Sequence, residues 1–503
     1  MGLSYPTPTW AALVAAVVTT ALLPGAGAAQ APTQLTLEDA IALAKGSSPS
    51  FLSAQNDQAS ANWQVREAYA QFLPSVDAGL GGTWQQAGAQ RFGTIAFEQD
   101  TDWYYSGYSI GLGMTIDGNT IFGVPNARAN KRATEATIAA AEFTLESNVA
   151  FQYMAVLRAQ DGVAVAQRQV ERARQNLQIV QTRVATGAAA GTEGRQAEVD
   201  LGRADVTLIQ AERTLRQSRL LLGEQVGLPL DEAVVLSSAF QVFEPNYEVD
   251  ALMADAIAEH PSLGALRARE SASRAAAHQA STSQYLPSLR VSASFRGQAQ
   301  EALNRNFVIS QAEDRAASRI SNCEFNNTLE TGLNGGLPNY SVQDCTQLQI
   351  TQADRDAALA ANDVFPFDFS TIPATVSAQI SLPVFSGFSR ERQVSEARNR
   401  AEDAEYSRRA EELRLRTAVT GAYDNLVSAY RVVQAEERNR ALSEEQLQLQ
   451  QRRYALGAAD LLLLMDAQTT LSTAEQAYLN AVYDFHYNLI ALEAAVGQPL
   501  RPR

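Results

Sequence analysis

The sequence predicts a mainly α-helical chain with two long helical hairpins and four β-strands. Three observations predict this fold class: two very long stretches without proline, four segments of alternating apolar and polar residues, and a pattern that occurs twice along the chain. The 503 residues carry a net charge of −15. Because a polyanion is bound by a basic surface, this charge argues against a nucleic-acid partner.

The two stretches without proline, 126–228 and 384–498, are rich in Ala, Gln, Glu, Arg and Leu, which favour helices. Each contains a glycine near its middle, Gly187 or Gly457, and glycine commonly follows the end of a helix. Each stretch therefore predicts a helical hairpin with its tip at that glycine. An arm over about 127–185 would be about 90 Å long and would need helical neighbours along its length. The predicted hairpins are about 127–226 and about 388–496.

Four segments alternate between apolar residues and polar or small ones. In the first, Val76, Ala78 and Leu80 are separated by polar or small residues. This period of two is typical of a half-buried strand, and it also fits a membrane strand of about 9–11 residues. A soluble β-sandwich has the same pattern, so the alternation does not separate the two. The predicted strands are about 75–85, 103–116, 288–296 and 375–384.

Short motifs indicate an internal duplication. Residues 71–75 are repeated at 284–288, a spacing of 213, whereas 183–187 are repeated at 453–457, a spacing of 270. The difference between the spacings, 57 residues, predicts one insertion in the second copy. Several matches in order at two fixed spacings favour a repeat over chance. The predicted repeats are 29–235 and 236–503.

The amino-terminal segment is predicted to be a signal peptide. The apolar run at 10–23 has 14 residues, fewer than the roughly 20 that a membrane-spanning helix needs. Small residues at 26–29 follow it, as at a secretory cleavage site, although 2–9 contain no Lys or Arg. A short buried helix is the alternative. We expect residues 1–28 to direct export.

The insertion contains both cysteines of the chain. Residues 297–373 are rich in Asn, Asp, Gln and Ser and lie between two predicted strands, so we expect an external loop, with disorder as the alternative. In an exported protein, a disulfide between Cys323 and Cys345 is reasonable, and two free thiols are the alternative.

The sequence contains no motif for catalysis, metal binding or nucleotide binding. Three histidines and two cysteines are too few and too scattered for a zinc site, and no phosphate-binding glycine motif occurs. We therefore expect no cofactor and no enzymatic activity. The acidic residues weakly suggest a secreted hydrolase, but they form no compact triad or carboxylate pair.

Four strands are too few to close a membrane barrel within one chain. Lipid offers no hydrogen-bonding partner to an open sheet edge, and the smallest single-chain barrels have about eight strands. Either the strands lie outside a membrane, or two or three chains share one barrel. The pattern does not choose between these possibilities.

Several motifs occur in the order that one family shows. Phe/Tyr-Leu-Pro-Ser precedes the first strand of each half, and residues 382–387 (LPVFSG) lead into the second long helix. Asp466-Ala467 follows Gly457 at a fixed spacing, and Gly-x-Pro-Leu ends each half. In these motifs, and over nearly the whole mature chain, the sequence resembles the TolC-like outer-membrane efflux proteins. The first half departs from the pattern at 115–119.

The resemblance implies a homotrimer. Its shared 12-stranded β-barrel would lie in the outer membrane, and its helical hairpins would form an α-barrel in the periplasm. It implies a passive exit duct of a tripartite efflux or type I secretion system, with a periplasmic adaptor and an inner-membrane transporter as partners. The alternative is a soluble periplasmic coiled-coil tether without a pore.

The resemblance also implies a gate at the hairpin tips. Asp466 takes the place of a tip aspartate, and Tyr454 is expected to donate a hydrogen bond to the carboxylate of Glu193. Leu463 and Ala459 depart from residues that some members use at the gate. The alternatives are a helix N-terminal acid for Asp466, a solvated turn residue for Glu193 and a packing residue for Tyr454.

Finally, the resemblance implies that the two tips contact the adaptor. Small residues there would allow close backbone approach. The alternative is that they form turns and nothing more. The candidate docking residues are Thr186, Gly187, Ala188, Leu456, Gly457 and Ala458.

Overall fold

The computed structural model describes residues 34–92, 95–230, 234–238, 240–333, 337 and 339–501, and these are mainly helical. The predicted signal peptide, 1–28, lies outside the described residues. The helices are α1 (Leu37–Ser47), α2 (Pro49–Ala70), α3 (Gly118–Ala185), α4 (Gly191–Val226), α5 (Val249–Glu259), α6 (Pro261–Ser283), α7 (Arg305–Gly332), α8 (Gln352–Asn362), α9 (Ser389–Ala455) and α10 (Leu461–Val496). The strands are β1 (Gln34–Leu35), β2 (Ser75–Gln85), β3 (Gly88–Phe92), β4 (Ile95–Gln99), β5 (Trp103–Ile116), β6 (Val235–Leu236), β7 (Ser288–Ala302) and β8 (Ser370–Ser381).

The chain divides into two compact units. One consists of Met1–Ser53, Ala141–Ala258 and Leu415–Arg503, and it holds both hairpin tips. The other consists of Ala54–Ala140 and Glu259–Arg414, and it holds the largest sheet.

The largest sheet has four antiparallel strands in the order β2-β5-β7-β8. Directly paired residues point to the same face of a sheet, so the register identifies two faces. The first face, which we call the apolar face, is largely exposed to solvent. Val76 is 67% exposed and Val376 is 72% exposed. The apolar face includes Val76, Leu80, Leu112, Ala293, Val376 and Ile380.

The opposite, polar face consists of polar and small residues. Asp77 pairs with Gly111, and Gly111 pairs with Ser294. Within the described residues, β2 and β8 are the two edges of this sheet. The sheet is therefore open, with one apolar and one polar surface.

The strand bounds agree with the sequence in the first half and differ in the second. β2 and β5 occupy the predicted ranges. β7 continues to Ala302, and β8 is Ser370–Ser381 rather than 375–384. β8 pairs with β7 both before and after a register irregularity, which lies between Ser294 and Arg296 of β7. Pro383 has no N–H to donate, which accounts for the end of β8 before it.

The expected external loop, 297–373, contains regular secondary structure. Its ends belong to β7 and β8, and α7 and α8 lie between them. Arg355 of α8 forms an ion pair with Glu313 of α7, at 2.8 Å. Cys323 and Cys345 are joined in a disulfide.

Each half begins with a pair of helices that the sequence reading did not predict. α1 and α2 precede β2, and α5 and α6 precede β7. The hydroxyl of Thr36 accepts a hydrogen bond from the backbone N–H of Asp39, which caps α1. His260 and Pro261 begin α6 in the same way, with the ring nitrogen of His260 accepting from Ser262.

The predicted hairpins are the α3–α4 and α9–α10 pairs. α3 has 68 residues and α9 has 67, and α4 and α10 have 36 each. α3 begins at Gly118, nine residues before the predicted start, and it continues through Pro125. A proline inside a helix lacks the N–H that would donate to the carbonyl four residues earlier. The helical turns before and after Pro125 continue α3 despite this missing bond.

One core cluster of the first unit lies between α9, α10 and α5. Val419 and Leu426 of α9 pack in one buried cluster with Phe485, Leu489 and Leu492 of α10. This apolar stripe holds the two helices of the second hairpin together. In the part of the chain that the structure describes, no helix is apolar enough over sufficient length to span a membrane.

Candidate functional site

The two hairpin tips have the same backbone structure. Gly187 and Gly457 adopt positive φ values of 74° and 73°. In the first tip, the N–H of Ala188 donates to the carbonyl of Arg183 at 2.8 Å. The second tip has the equivalent bond at the same length. A glycine in this conformation reverses the chain after a helix while the last carbonyls stay bonded.

The six candidate docking residues are all exposed. Leu456 is 84% exposed, which leaves a large apolar side chain at the end of the second tip. The structure thus places a free backbone turn at each tip and one apolar side chain beside it.

Below the tips, Tyr454 and Glu193 join the two hairpins. The hydroxyl of Tyr454 donates a hydrogen bond to Oε2 of Glu193 at 2.9 Å, which is the bond that the family resemblance implied. Tyr454 is 1% exposed. Burial first, and then the bond to the Glu193 carboxylate, raise the pKa of Tyr454 to about 12. Both effects favour the neutral hydroxyl, so the bond persists at neutral pH.

Glu193 is itself held in place by the chain around it. It lies in the first turn of α4, and its Oε1 accepts a hydrogen bond from the backbone N–H of Ala190 at 3.2 Å. One carboxylate therefore caps α4 and accepts the Tyr454 hydroxyl. A negative charge in the first turn is also favoured by the helix dipole.

Arg183 is a third member of this contact, and the sequence reading gave it no role. Its guanidinium lies over the ring of Tyr454, 4.3 Å from the ring centroid. It donates hydrogen bonds to the backbone carbonyls of Tyr454 and Ala188. A planar cation is suited to stack and to donate at the same time. We call Tyr454, Glu193 and Arg183 the tip latch.

An apolar cluster supports the tip latch. Tyr454 packs among buried side chains contributed by four helices, α3, α4, α9 and α10. These side chains exclude water from one side of the phenol, which is why burial dominates its pKa shift. The cluster consists of Val180, Ala197, Leu447, Tyr454, Leu461, Leu464, Ala467 and Leu471.

Asp466 lies close by in sequence but does not join the tip latch. It is exposed on α10, between Leu464 and Ala467, which face the cluster. Among the described residues, the structure gives Asp466 no hydrogen bond or ion pair with Tyr454 or Glu193. Leu463 is also exposed. Two of the three predicted gate residues therefore meet, and the third presents a free carboxylate.

Further along the hairpins, polar contacts connect α3 with α10. Arg172 forms a mostly buried ion pair with Glu475, with its Nη1 donating at 3.1 Å. The amide of Asn176 donates to Gln468. These pairs couple residues about 300 positions apart, so spacing along the chain could not reveal them.

No group of three or more possible metal ligands occurs among the described residues. The profile of the outer membrane efflux protein family matches residues 40–227 and 346–498.

The chain belongs to the outer membrane efflux protein family.

Solved structures agree with this assignment. The outer membrane protein VceC from Vibrio cholerae is 17% identical, with a TM-score of 0.63 over 92% of this chain and 96% of that one. The Campylobacter jejuni CmeC outer membrane channel is 14% identical, with a TM-score of 0.65 over 92% and 85%. The open-state Neisseria gonorrhoeae MtrE outer membrane channel is 18% identical, with a TM-score of 0.64 over 92% and 89%. At these identities the likeness shows a common fold.

A comparison with curated protein sequences gave no match. The family match confirms the resemblance to TolC-like efflux proteins. As a family member, the chain is an outer-membrane efflux channel that extends into the periplasm.

Proposed function

We propose that three copies of this outer membrane efflux protein form one passive export duct. The observation that carries this proposal is the open four-stranded sheet with an exposed apolar face. A sheet in lipid has to close, and three copies supply twelve strands if β8 of one copy pairs with β2 of the next. The apolar face then meets lipid, and the polar face lines the lumen.

The α3–α4 and α9–α10 hairpins of the three copies are proposed to form the α-barrel in the periplasm. Their matched lengths, 68 and 67 residues for the first arms and 36 for both second arms, support an internal duplication. Six similar hairpins per trimer would then pack side by side in quasi-equivalent positions around the α-barrel.

The exposed tips are proposed to dock a periplasmic adaptor, which in turn connects to an inner-membrane transporter. The backbone turns at Gly187 and Gly457 support this role, because they admit close approach of another hairpin. The transporter selects the cargo, so the same duct serves small-molecule efflux or type I protein secretion.

The tip latch is proposed to hold the periplasmic end closed. It joins α9 to the start of α4, so its release would free one hairpin from the other. Three copies of the free Asp466 carboxylate at the constriction would attract cations. The latch and the aspartate ring would then control opening and ion preference separately.

Cysteine cross-linking between strand edges tests the proposal. One cysteine replaces Gly79 in β2, and a second is moved along β8 from Ser370 to Ser381, with the native disulfide retained. We expect oxidation in intact outer membranes to give linked species that end at three chains. Cross-links confined to single chains would instead support a soluble tether whose sheet closes on itself.

A further inference from the structure

The four strands of the large sheet carry only four charged residues, and their positions are unequal. Asp77, Arg290 and Arg296 lie on the polar face. Glu301 pairs with Tyr104 on the other face, where its carboxylate accepts a hydrogen bond from the backbone N–H of Phe365 at 2.9 Å. The polar face therefore carries two guanidiniums and one carboxylate, although the chain as a whole is strongly acidic.

The register confirms that both arginines face the same way as Asp77. Arg290 pairs with Thr115 on one side and with Gln379 on the other. Arg296 pairs with Ser109, which is in turn paired with Gly79 of β2. On its other side, across the register irregularity, Arg296 pairs with Ile372 of β8. All of these neighbours are uncharged, and all but Ile372 are small or polar.

Neither guanidinium is neutralised. Both arginines are exposed, and among the residues that the structure describes no carboxylate lies within ion-pair distance of Arg290 or Arg296. The surrounding residues leave room above the sheet, because β5 contributes mainly glycine and serine to this face. The charges are therefore available to ions that pass over the polar face.

The two arginines lie at different heights on β7. Six residues separate them, which is about 20 Å along a strand at about 3.3 Å per residue. Asp77 pairs with Gly111, which pairs with Ser294 of β7. This row of paired residues therefore crosses β7 between Arg290 and Arg296. Arg296 is about 7 Å from that row and Arg290 about 13 Å, so each arginine dominates the potential near its own end.

We infer that Arg290 and Arg296 make the outer-membrane section of the duct a filter that favours anions. This inference rests on the proposed trimer, in which three copies turn these residues into two guanidinium rings around one lumen. Rings of arginine or lysine are the usual basis of anion preference in pores, and low-dielectric walls strengthen their field. The filter favours anionic cargo and opposes the cation preference of an Asp466 ring at the hairpin tips.

The test is the reversal potential of the purified full-length channel in planar bilayers under a KCl gradient. The Asp466→Asn variant serves as the parent, because it removes the proposed cation filter at the tips. In this parent we expect chloride to permeate better than potassium. Arg290→Gln and Arg296→Gln should each reduce the preference, and together they should bring the chloride-to-potassium permeability ratio to one or below.

Two controls separate charge from structure. The conservative double variant Arg290→Lys/Arg296→Lys should keep the anion preference, since it keeps both charges. Arg66→Gln removes one guanidinium from α2, outside the sheet, and should leave the reversal potential of the parent unchanged.

Pyrophosphate should reduce the parent current and have little effect on the double glutamine variant.

The outcomes also separate this inference from the proposed function. A conducting trimer whose reversal potential is the same with and without the two arginines would overturn the filter and leave the duct intact. A parent that prefers potassium would do the same. A protein that forms no trimer and conducts no ions would overturn both.

Discussion

The guanidinium of Arg183 lies 4.3 Å from the centroid of the Tyr454 ring and joins the end of α3 to the end of α9. The phenol beneath it donates to Glu193 in the first turn of α4. Three helix ends are therefore held by one tyrosine, with a cation on its face and an anion at its hydroxyl. This arrangement makes the tyrosine the most informative position for substitution.

Tyr454→Phe should weaken the contact between the two hairpins near their tips and leave the packing of the apolar cluster unchanged. The substitution removes the bond to the Glu193 carboxylate and keeps the ring beneath Arg183, so we expect a local loss of about 1.5–3 kcal/mol. Channels in planar bilayers should conduct more often or at higher current. Tyr406→Phe, at an exposed tyrosine of α9, is the matched control. Equal currents in Tyr454→Phe and wild type would show that the hydroxyl does not contribute to closure.

The tip latch should weaken at high pH. The folded pKa of Tyr454 is about 12, above the ordinary value of 10.0. Its stabilising contribution is therefore complete below pH about 10 and is lost as the pH rises through 12. The phenolate absorbance of wild type minus that of Tyr454→Phe measures the titration. A midpoint near 10 would contradict the buried, bonded hydroxyl.

Gly187→Ala should destabilise the first tip by about 1 kcal/mol, because a Cβ is disfavoured at positive φ. No atom lies within 4 Å of the added Cβ, so the effect is one of backbone conformation. The amide of Ala188 should exchange its hydrogen faster. Gly202→Ala, in the middle of α4 and also without contacts, should instead stabilise its helix by about 0.5–1 kcal/mol. The idea fails if both substitutions change exchange in the same direction.

Gly297→Ala should weaken the sheet. A Cβ there would overlap the ring of Tyr108, which would have to move from its contact with Phe369. We expect a cost of about 1–3 kcal/mol and a lower temperature of trimer dissociation on unheated gels.

Adding Tyr108→Ala to the same chain should remove most of that extra cost, because the clash is then absent. Gly113→Ala, whose Cβ would meet Ser75 at an ordinary 3.4 Å, is the control. Additive losses in the double variant would rule out this contact as the cause.

The sequence predicted the hairpins and strands where a single period dominates. Most residues in 75–85 and 103–116 alternate between apolar and polar or small side chains, and β2 and β5 have those bounds. The second half was harder because the register irregularity near Ser294 breaks the period of two in β8. In the insertion, an Asn- and Gln-rich composition concealed α7 and α8. The two helices are joined by the Arg355–Glu313 ion pair, and the disulfide ties α7 to Cys345, before α8.

At the candidate site, the bond between Tyr454 and Glu193 followed from the family resemblance, whereas Arg183 did not. Its partners are an aromatic ring and two backbone carbonyls, and backbone groups carry no sequence signal. The Arg172–Glu475 pair was missed for a related reason, since only the packing of α3 on α10 brings the two residues together.

The native mass of the full-length protein, extracted from outer membranes in mild detergent, tests the shared barrel most directly. We expect a complex of three chains that dissociates to single chains on heating, because β2 and β8 each need a partner from another copy. A single chain that stays dispersed in buffer without detergent, with its apolar face covered, would contradict it.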